Sequence, residues 1–353
     1  MVERGSYTRA EIFSQPEAWS KTLGQLTGLS REIKALLNAG QFQSVIFTGC
    51  GSTYYLALAA AAICQQIVKI PARGLPASEI WLYPDSAYLT SQRTLLVAIS
   101  RSGETTETLR AVASFRERGQ GKVITLSCYP TMPLANAGHL NLVLEAGQED
   151  SVAQTRAFSV LYLGTVFLAA LWAGQQALLD AMQKLPEAVT NLLRDYAIVA
   201  KEIGSNLSLE RFYLLGSGAR YGLAAEVSLK LKEMSLSHSE PFHFLEYRHG
   251  PMSMVTDKTL LYGLVSEVNQ AAEKLVLKEM EGRGARVLSL GDTDADVWLK
   301  SGVPEAVRNV LYLPIGQLMA FERSLAKGLN PDRPNNLETV VRLDNSGHAA
   351  EPA

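Results

Sequence analysis

The sequence predicts two tandem α/β domains, each a doubly wound parallel sheet covered by helices in a flavodoxin-like three-layer arrangement. Three observations carry this. The chain has 353 residues, about two domains of roughly 150 each. Short apolar runs of strand length alternate with longer helical stretches such as 57–68 and 104–118, the pattern of parallel sheets flanked by helices. The chain also resembles itself. Ser44-Val-Ile-Phe-Thr-Gly-Cys-Gly-Ser-Thr-Tyr is echoed by Arg211-Phe-Tyr-Leu-Leu-Gly-Ser-Gly-Ala-Arg-Tyr, Thr94-Leu-Leu-Val-Ala-Ile-Ser by Thr259-Leu-Leu-Tyr-Gly-Leu-Val-Ser, and Gly121-Lys-Val-Ile by Gly284-Ala-Arg-Val. The offsets are 167 (Gly49 to Gly216), 165 (Thr94 to Thr259) and 163 (Gly121 to Gly284). This places an N-terminal segment at 1–30, one domain at 31–185, a second at 186–344 and a frayed polar tail at 345–353. Helical periodicity over 180–206 supplies the connection.

Composition narrows the function. Hydrophobic residues make up 47% and charged residues 19%, which excludes disordered, collagen-like and coiled-coil chains. A net charge of −2 leaves no basic surplus for a nucleic-acid backbone or an anionic membrane, so a small molecule is the expected partner. The longest apolar run, 160–173, is shorter than a membrane span and reads as a buried helix. The N-terminus lacks the apolar core of a secretory signal. Cys50, Cys64 and Cys128 are an odd set without C-x-x-C spacing, so reduced thiols in a cytoplasmic protein are expected, with no metal.

The first G-x-G turn, Gly49-Cys-Gly51, follows a strand, but Tyr54 and Tyr221 fill the third glycine position of a dinucleotide fingerprint. No acid stands about 20 residues on to hold a ribose, so no cofactor is expected. Ser52 and Thr53 open the next helix, either as a simple cap or as a seat for phosphate. A denser feature is Ser100-Arg101-Ser102-Gly103-Glu104-Thr105-Thr106. Its hydroxyls, a glycine and an arginine at a helix start form a cradle for an anion, and a capping role for Ser102 or Thr105 is compatible with it. The second copy carries Ser266-Glu267-Val268-Asn269 there, where Glu267 would repel a phosphate.

In the second copy Glu226, Lys230 and Glu233 share one helix face, roughly 90° from the apolar row Leu223, Val227, Leu231, Met234. They read either as a surface ion-pair row or as a general base with a tuned pKa bordering the core. His238, His243 and His249 follow closely. Their spacing does not suit zinc, and His249, on the Gly250-Pro251 turn, is placed for proton transfer or for a structural role.

Together, Ser100-Arg-Ser-Gly-Glu-Thr, Leu229-Lys-Leu-Lys-Glu-Met and Tyr247-Arg-His-Gly-Pro resemble the sugar isomerase (SIS) domain family. The likeness is greatest to the isomerase half of glutamine:fructose-6-phosphate aminotransferases and to their deaminase relatives, and it runs from about Thr8 to Leu337. The resemblance implies a sugar phosphate held by Ser52, Thr53, Ser100, Ser102 and Thr105, with Arg101 where the synthase usually has glutamine. It implies a sugar-lining loop containing Glu149, Val152 and Gln154. Glu233 is implied as the base between C1 and C2, Lys230 as its neighbour, and His249 as a ring-opening residue lent by a neighbouring subunit, hence a homodimer with shared sites. Two departures matter. The chain begins Met-Val without the glutaminase domain, so use of glutamine is not expected. The family's substrate-touching lysine is replaced by Thr339, which disfavours an imine-forming step. The implied activity is isomerisation or deamination of a hexose or aminohexose 6-phosphate. A non-catalytic sugar-phosphate sensor or a deglycase of a phosphorylated sugar-amine conjugate are the alternatives.

Overall fold

The computed structural model describes residues 3–119 and 121–343; the tail expected to fray lies outside the described residues. Three helices, Ser6–Phe13, Gln15–Gly28 and Ser30–Ala39, precede the first strand. The first sheet contains β1 (Ser44–Gly49), β2 (Ala72–Pro76), β3 (Thr94–Ile99), β4 (Gly121–Ser127) and β5 (Leu140–Val143). All its pairings are parallel, in the order β2-β1-β3-β4-β5. The second sheet contains β6 (Arg211–Gly216), β7 (His238–Phe242), β8 (Thr259–Leu264), β9 (Arg286–Gly291) and the short β10 (Val297–Trp298). Its order is β10-β9-β8-β6-β7, again parallel. Read from β7, that is the first sheet's order, the doubly wound pattern with one switch point per sheet. The third sequence pairing needs adjustment. Thr94 pairs with Gly121 in the first sheet, whereas Leu260 pairs with Arg286 in the second. The structural equivalent of Gly121 is therefore Ala285, not Gly284. A one-residue slip would turn every β9 side chain to the wrong face.

Strand residues alternate between two covered faces. Ile46, Leu96, Ala98 and Val123 pack with Ile80, Val112 and Phe115. Their neighbours Val45, Phe47, Leu95, Val97 and Ile124 meet Leu168, Ala169 and Trp172 on the other side. The apolar run forms the Arg156–Trp172 helix, buried from Ala157 through Leu171. Among the described residues no helix is long and apolar enough to cross a membrane. In the second sheet Tyr213, Leu215 and Leu261 pack with Val276, Leu277 and Met280. On that sheet's other side the Ala219–Ser235 helix packs on the Leu313–Ala326 helix. A Cβ at Gly316 would stand 2.6 Å from Val227 Cγ1, so glycine there permits the close approach. The expected connection is made by the Gln176–Met182 and Leu185–Ser205 helices.

The chain divides into two compact units that interleave in sequence. The first-sheet unit contains Ala18–Gln148, Arg156–Asp180 and the chain from Glu338 onward. The second-sheet unit contains the chain up to Glu17, Glu149–Thr155 and Ala181–Leu337.

Candidate functional site

Open α/β sheets bind ligands beyond the carboxyl ends of their strands at the switch point, which in the first sheet lies between β1 and β3. The β1 turn is tight. A Cβ at Gly49 would lie 2.4 Å from Thr53 Oγ1 and 2.8 Å from the Ile99 carbonyl. Gly51 then adopts φ 55°, ψ −123° and starts the Ser52–Val68 helix, five residues earlier than apolar periodicity alone indicates. Thr53 Oγ1 accepts the Cys50 N–H at 2.9 Å and donates to the Cys50 carbonyl at 2.9 Å. Its hydroxyl closes the turn, a structural use alongside the expected one. Ser52 is buried beside it.

The loop after β3 is the denser half. Ser100 Oγ accepts the Gly103 N–H at 3.2 Å and meets Thr105 Oγ1 at 3.1 Å and Ser102 Oγ at 3.5 Å. Ser102 Oγ accepts the Glu104 N–H at 3.3 Å. Gly103 takes φ 74°, and the helix begins at Thr106 rather than Glu104. Thr105 is its N-cap residue yet makes no side-chain cap bond. Hydroxyls that bond one another at an uncapped helix start leave its first N–H groups for an anion. Buried Arg101 adds a cation, and its Nη2 donates to the Thr339 carbonyl at 3.3 Å. Residue 339 thus meets this loop through its backbone. Ser100, Arg101, Ser102, Thr105 and Thr339 are brought together.

In the second-sheet unit the Glu149–Thr155 loop is held from two sides. Glu11 accepts the N–H groups of Asp150 at 2.6 Å and Ser151 at 3.0 Å, and the Ser151 hydroxyl. The Val152 N–H donates to the Asp332 carbonyl at 3.1 Å, while Asp332 Oδ1 accepts the N–H and hydroxyl of Thr8, both at 2.8 Å. Burial and the nearby Glu149 push the Glu11 carboxyl above its ordinary range. Glu149 Oε1 accepts the Thr155 N–H at 2.8 Å and hydroxyl at 2.9 Å. Gln154 Oε1 is buried without a hydrogen-bond partner among the described residues, an acceptor waiting for a donor. Sequence reading did not find Glu11 or Asp332; no local signal links residues 140 or 324 positions apart.

The ion row on the Ala219–Ser235 helix is not a border row. Glu226 and Lys230 are both 0% exposed, and only Glu233 reaches partial exposure. The helix is buried on nearly every side, so its charged face lies inside the protein. Lys230 Nζ lies 3.3 Å from Glu226 Oε1 and bonds Glu233 Oε2. Burial pushes the ammonium's pKa down, but Glu226 and then Glu233 more than offset this, and the net shift is upward. Lys230 stays cationic and holds the half-open Glu233 in one place.

The histidines disperse. His238 meets Glu240 at 3.4 Å, and His243 stacks on Tyr221 with centroids 4.1 Å apart. His249 is exposed, next to Gly250 at φ 116°. No group of three potential metal-binding side chains occurs among the described residues.

The chain is 31% identical to the glutamine–fructose-6-phosphate aminotransferase (isomerizing) of Pyrobaculum aerophilum, over 98% of this chain and 59% of that one. The Pyrococcus horikoshii enzyme of the same name is 30% identical over the same shares. The chain therefore spans about 59% of the length of these relatives. The crystal structure of glucosamine-6-phosphate deaminase from Thermotoga maritima superposes with a TM-score of 0.71 at 29% identity, covering 91% of this chain and 99% of that one. Tagatose-6-phosphate ketose/aldose isomerase from Escherichia coli shares the fold, with a TM-score of 0.83 at 19% identity over 95% and 97% of the two chains. These relatives are enzymes by name. The SIS domain model matches residues 41–171 and 208–313, one stretch in each sheet region. With the tandem parallel sheets and the sequence motifs, this means that the chain belongs to the SIS domain family.

Proposed function

We propose that the protein is an enzyme that isomerises or deaminates a hexose or aminohexose 6-phosphate. The observation that carries this reading is the buried Glu226–Lys230–Glu233 triad with its one partly open carboxylate. Burying charge is costly and seldom retained for stability alone. In this reading the Ser100, Ser102 and Thr105 hydroxyls, Arg101 and the uncapped helix start receive the phosphate, with Ser52 beside them. His249 assists ring opening. Glu233 removes the C2 proton and returns it at C1 through an enediol or enolamine, while Lys230 holds the carboxylate in place. With an amine on C2 the resulting ketimine hydrolyses to ketose phosphate and ammonia; with a hydroxyl the product is the isomeric sugar. Val152 and Glu149 shape the sugar loop. The donorless Gln154 Oε1 favours a substrate that offers an N–H or O–H there. Thr339 supplies no amine, which favours free ammonia over imine transfer. We further infer a homodimer, in which exposed His249 serves the site of a second copy, and a cytoplasmic setting, which suits cysteines held outside disulfides among the described residues.

The test is proton NMR with glucosamine 6-phosphate in deuterated water, with ammonia assayed in parallel. Fructose 6-phosphate appearing with ammonia establishes the deaminase. Deuterium entering at C2 without ammonia establishes the base and redirects the search to another sugar phosphate. No change with either glucosamine 6-phosphate or glucose 6-phosphate, while both still bind, overturns the reading in favour of a sensor.

A further inference from the structure

The second sheet has a switch point of its own, between β6 and β8, and it is built from the chemistry of an anion site. Gly218 at φ 59°, ψ −133° starts the Ala219–Ser235 helix without a side-chain cap, as Gly51 starts the helix after β1. The loop after β8 aligns with the loop after β3: the Val265 N–H bonds the Leu290 carbonyl as the Ser100 N–H bonds Leu126. By that register the Glu267 backbone N–H stands where that of Ser102 stands in the first sheet. It donates to Glu305 Oε2 at 2.8 Å. The other oxygen of the same carboxylate receives the guanidinium of Arg220, the second residue of the helix. Arg220 is 6% exposed and Arg308 2%, and each retains a buried Nε with no hydrogen-bond partner among the described residues. Arg308 donates to Glu267 at 2.9 Å, to Asp292 at 3.3 Å and to the Val303 carbonyl at 3.2 Å.

A loop N–H, an arginine in a first helical turn and a second buried arginine are the groups that recognise phosphate at such crevices. Here a carboxylate of the chain takes that role. Glu305 reaches the crevice from the short Glu305–Arg308 helix, which follows a loop with Lys300 at φ 45° and Gly302 at φ 60°. Burial pushes the Glu305 carboxyl up, but Arg220 and the Glu267 N–H outweigh this, so it is held as an anion.

We propose that the second switch point is an anion site occupied by the chain's own Glu305 carboxylate, and that it binds a phosphoryl group once that carboxylate and the Glu267 charge are removed. The chain then presents one open phosphate site, although its two sheets could build two. The inference does not depend on the catalytic reading, because none of these residues belongs to the proposed machinery.

The experiment is calorimetric titration of inorganic phosphate into the wild-type chain, Glu267→Gln/Glu305→Ala, and that variant with Arg220→Met added. The expected result is one additional phosphate per chain in the double variant, abolished by Arg220→Met. Unchanged stoichiometry in a double variant that still melts cooperatively overturns the proposal. If the double variant folds poorly, Glu305→Ala alone is melted with formate or phosphate against chloride at equal ionic strength. Stabilisation exceeding that of the wild type supports the site, and stabilisation no greater than with chloride refutes it.

Discussion

The Ser52–Val68 and Ala219–Ser235 helices are 17 residues each, follow the first strand of their sheets, and start from the same glycine turn. Aligned from that turn, Ala59 corresponds to Glu226, Ile63 to Lys230 and Gln66 to Glu233. Ala59 and Glu226 are each 0% exposed, and Ile63 and Lys230 nearly equally buried. One helix fills its layer with methyl groups and the other fills the same layer with charge. The apolar helix demonstrates that the architecture needs no ions there. A carboxylate–ammonium pair in the same place carries a desolvation cost that an alanine and an isoleucine do not. In the proposed reading, the difference marks the charges as serving chemistry rather than architecture.

This contrast can be broken most sharply at its open end. Glu233→Gln should lower turnover of the sugar phosphate by roughly 100- to 10,000-fold, with the melting temperature nearly unchanged, as read by a coupled assay beside calorimetry. Lys230→Met should follow, because it leaves Glu226 buried without its cation, a loss of about 3–5 kcal/mol in denaturant unfolding. Grafting the first helix's residues, Glu226→Ala/Lys230→Ile/Glu233→Gln, should instead keep stability or raise it by about 1–4 kcal/mol while abolishing activity. A graft that unfolds the chain would mean the charges hold the fold, contrary to the comparison.

A pH series sharpens the same point. The native Lys230 pKa lies above its unfolded value. Its contribution to stability is therefore complete below the ordinary lysine pKa and is lost as pH rises through the native one. The difference in melting temperature between wild type and graft should stay flat through neutrality and shift against the wild type only in strong alkali. The smallest effects are expected in the first-sheet crevice. Ser100→Ala should weaken phosphate binding by roughly tenfold or more, whereas Thr53→Val should cost about 1 kcal/mol of stability with a smaller change in affinity.

Much of the fold could be read in advance because strand residues such as Val45–Phe47 and Leu95–Val97 are locally apolar and sit at matching offsets. The hydroxyl cradle was equally local, seven residues in a row. The depth of the triad was not. Periodicity sets Glu226 and Lys230 a quarter turn from the apolar row, and only the helices packed around them bury that face. The ties of Arg220 to Glu305 and of Glu11 to Ser151 span 85 and 140 residues. Nothing in a local window encodes them.

The interleaving of the two units bears on how the chain reaches its native state. The loop at Glu149–Thr155 is anchored by Glu11, already synthesised, and by Asp332, made much later. Thr8 closes on Asp332 across 324 residues. Loops of that length form late and slowly. A growing chain would therefore complete its first sheet long before this loop finds its last anchor, and the Glu149–Thr155 loop should be among the last parts to acquire protection from hydrogen exchange.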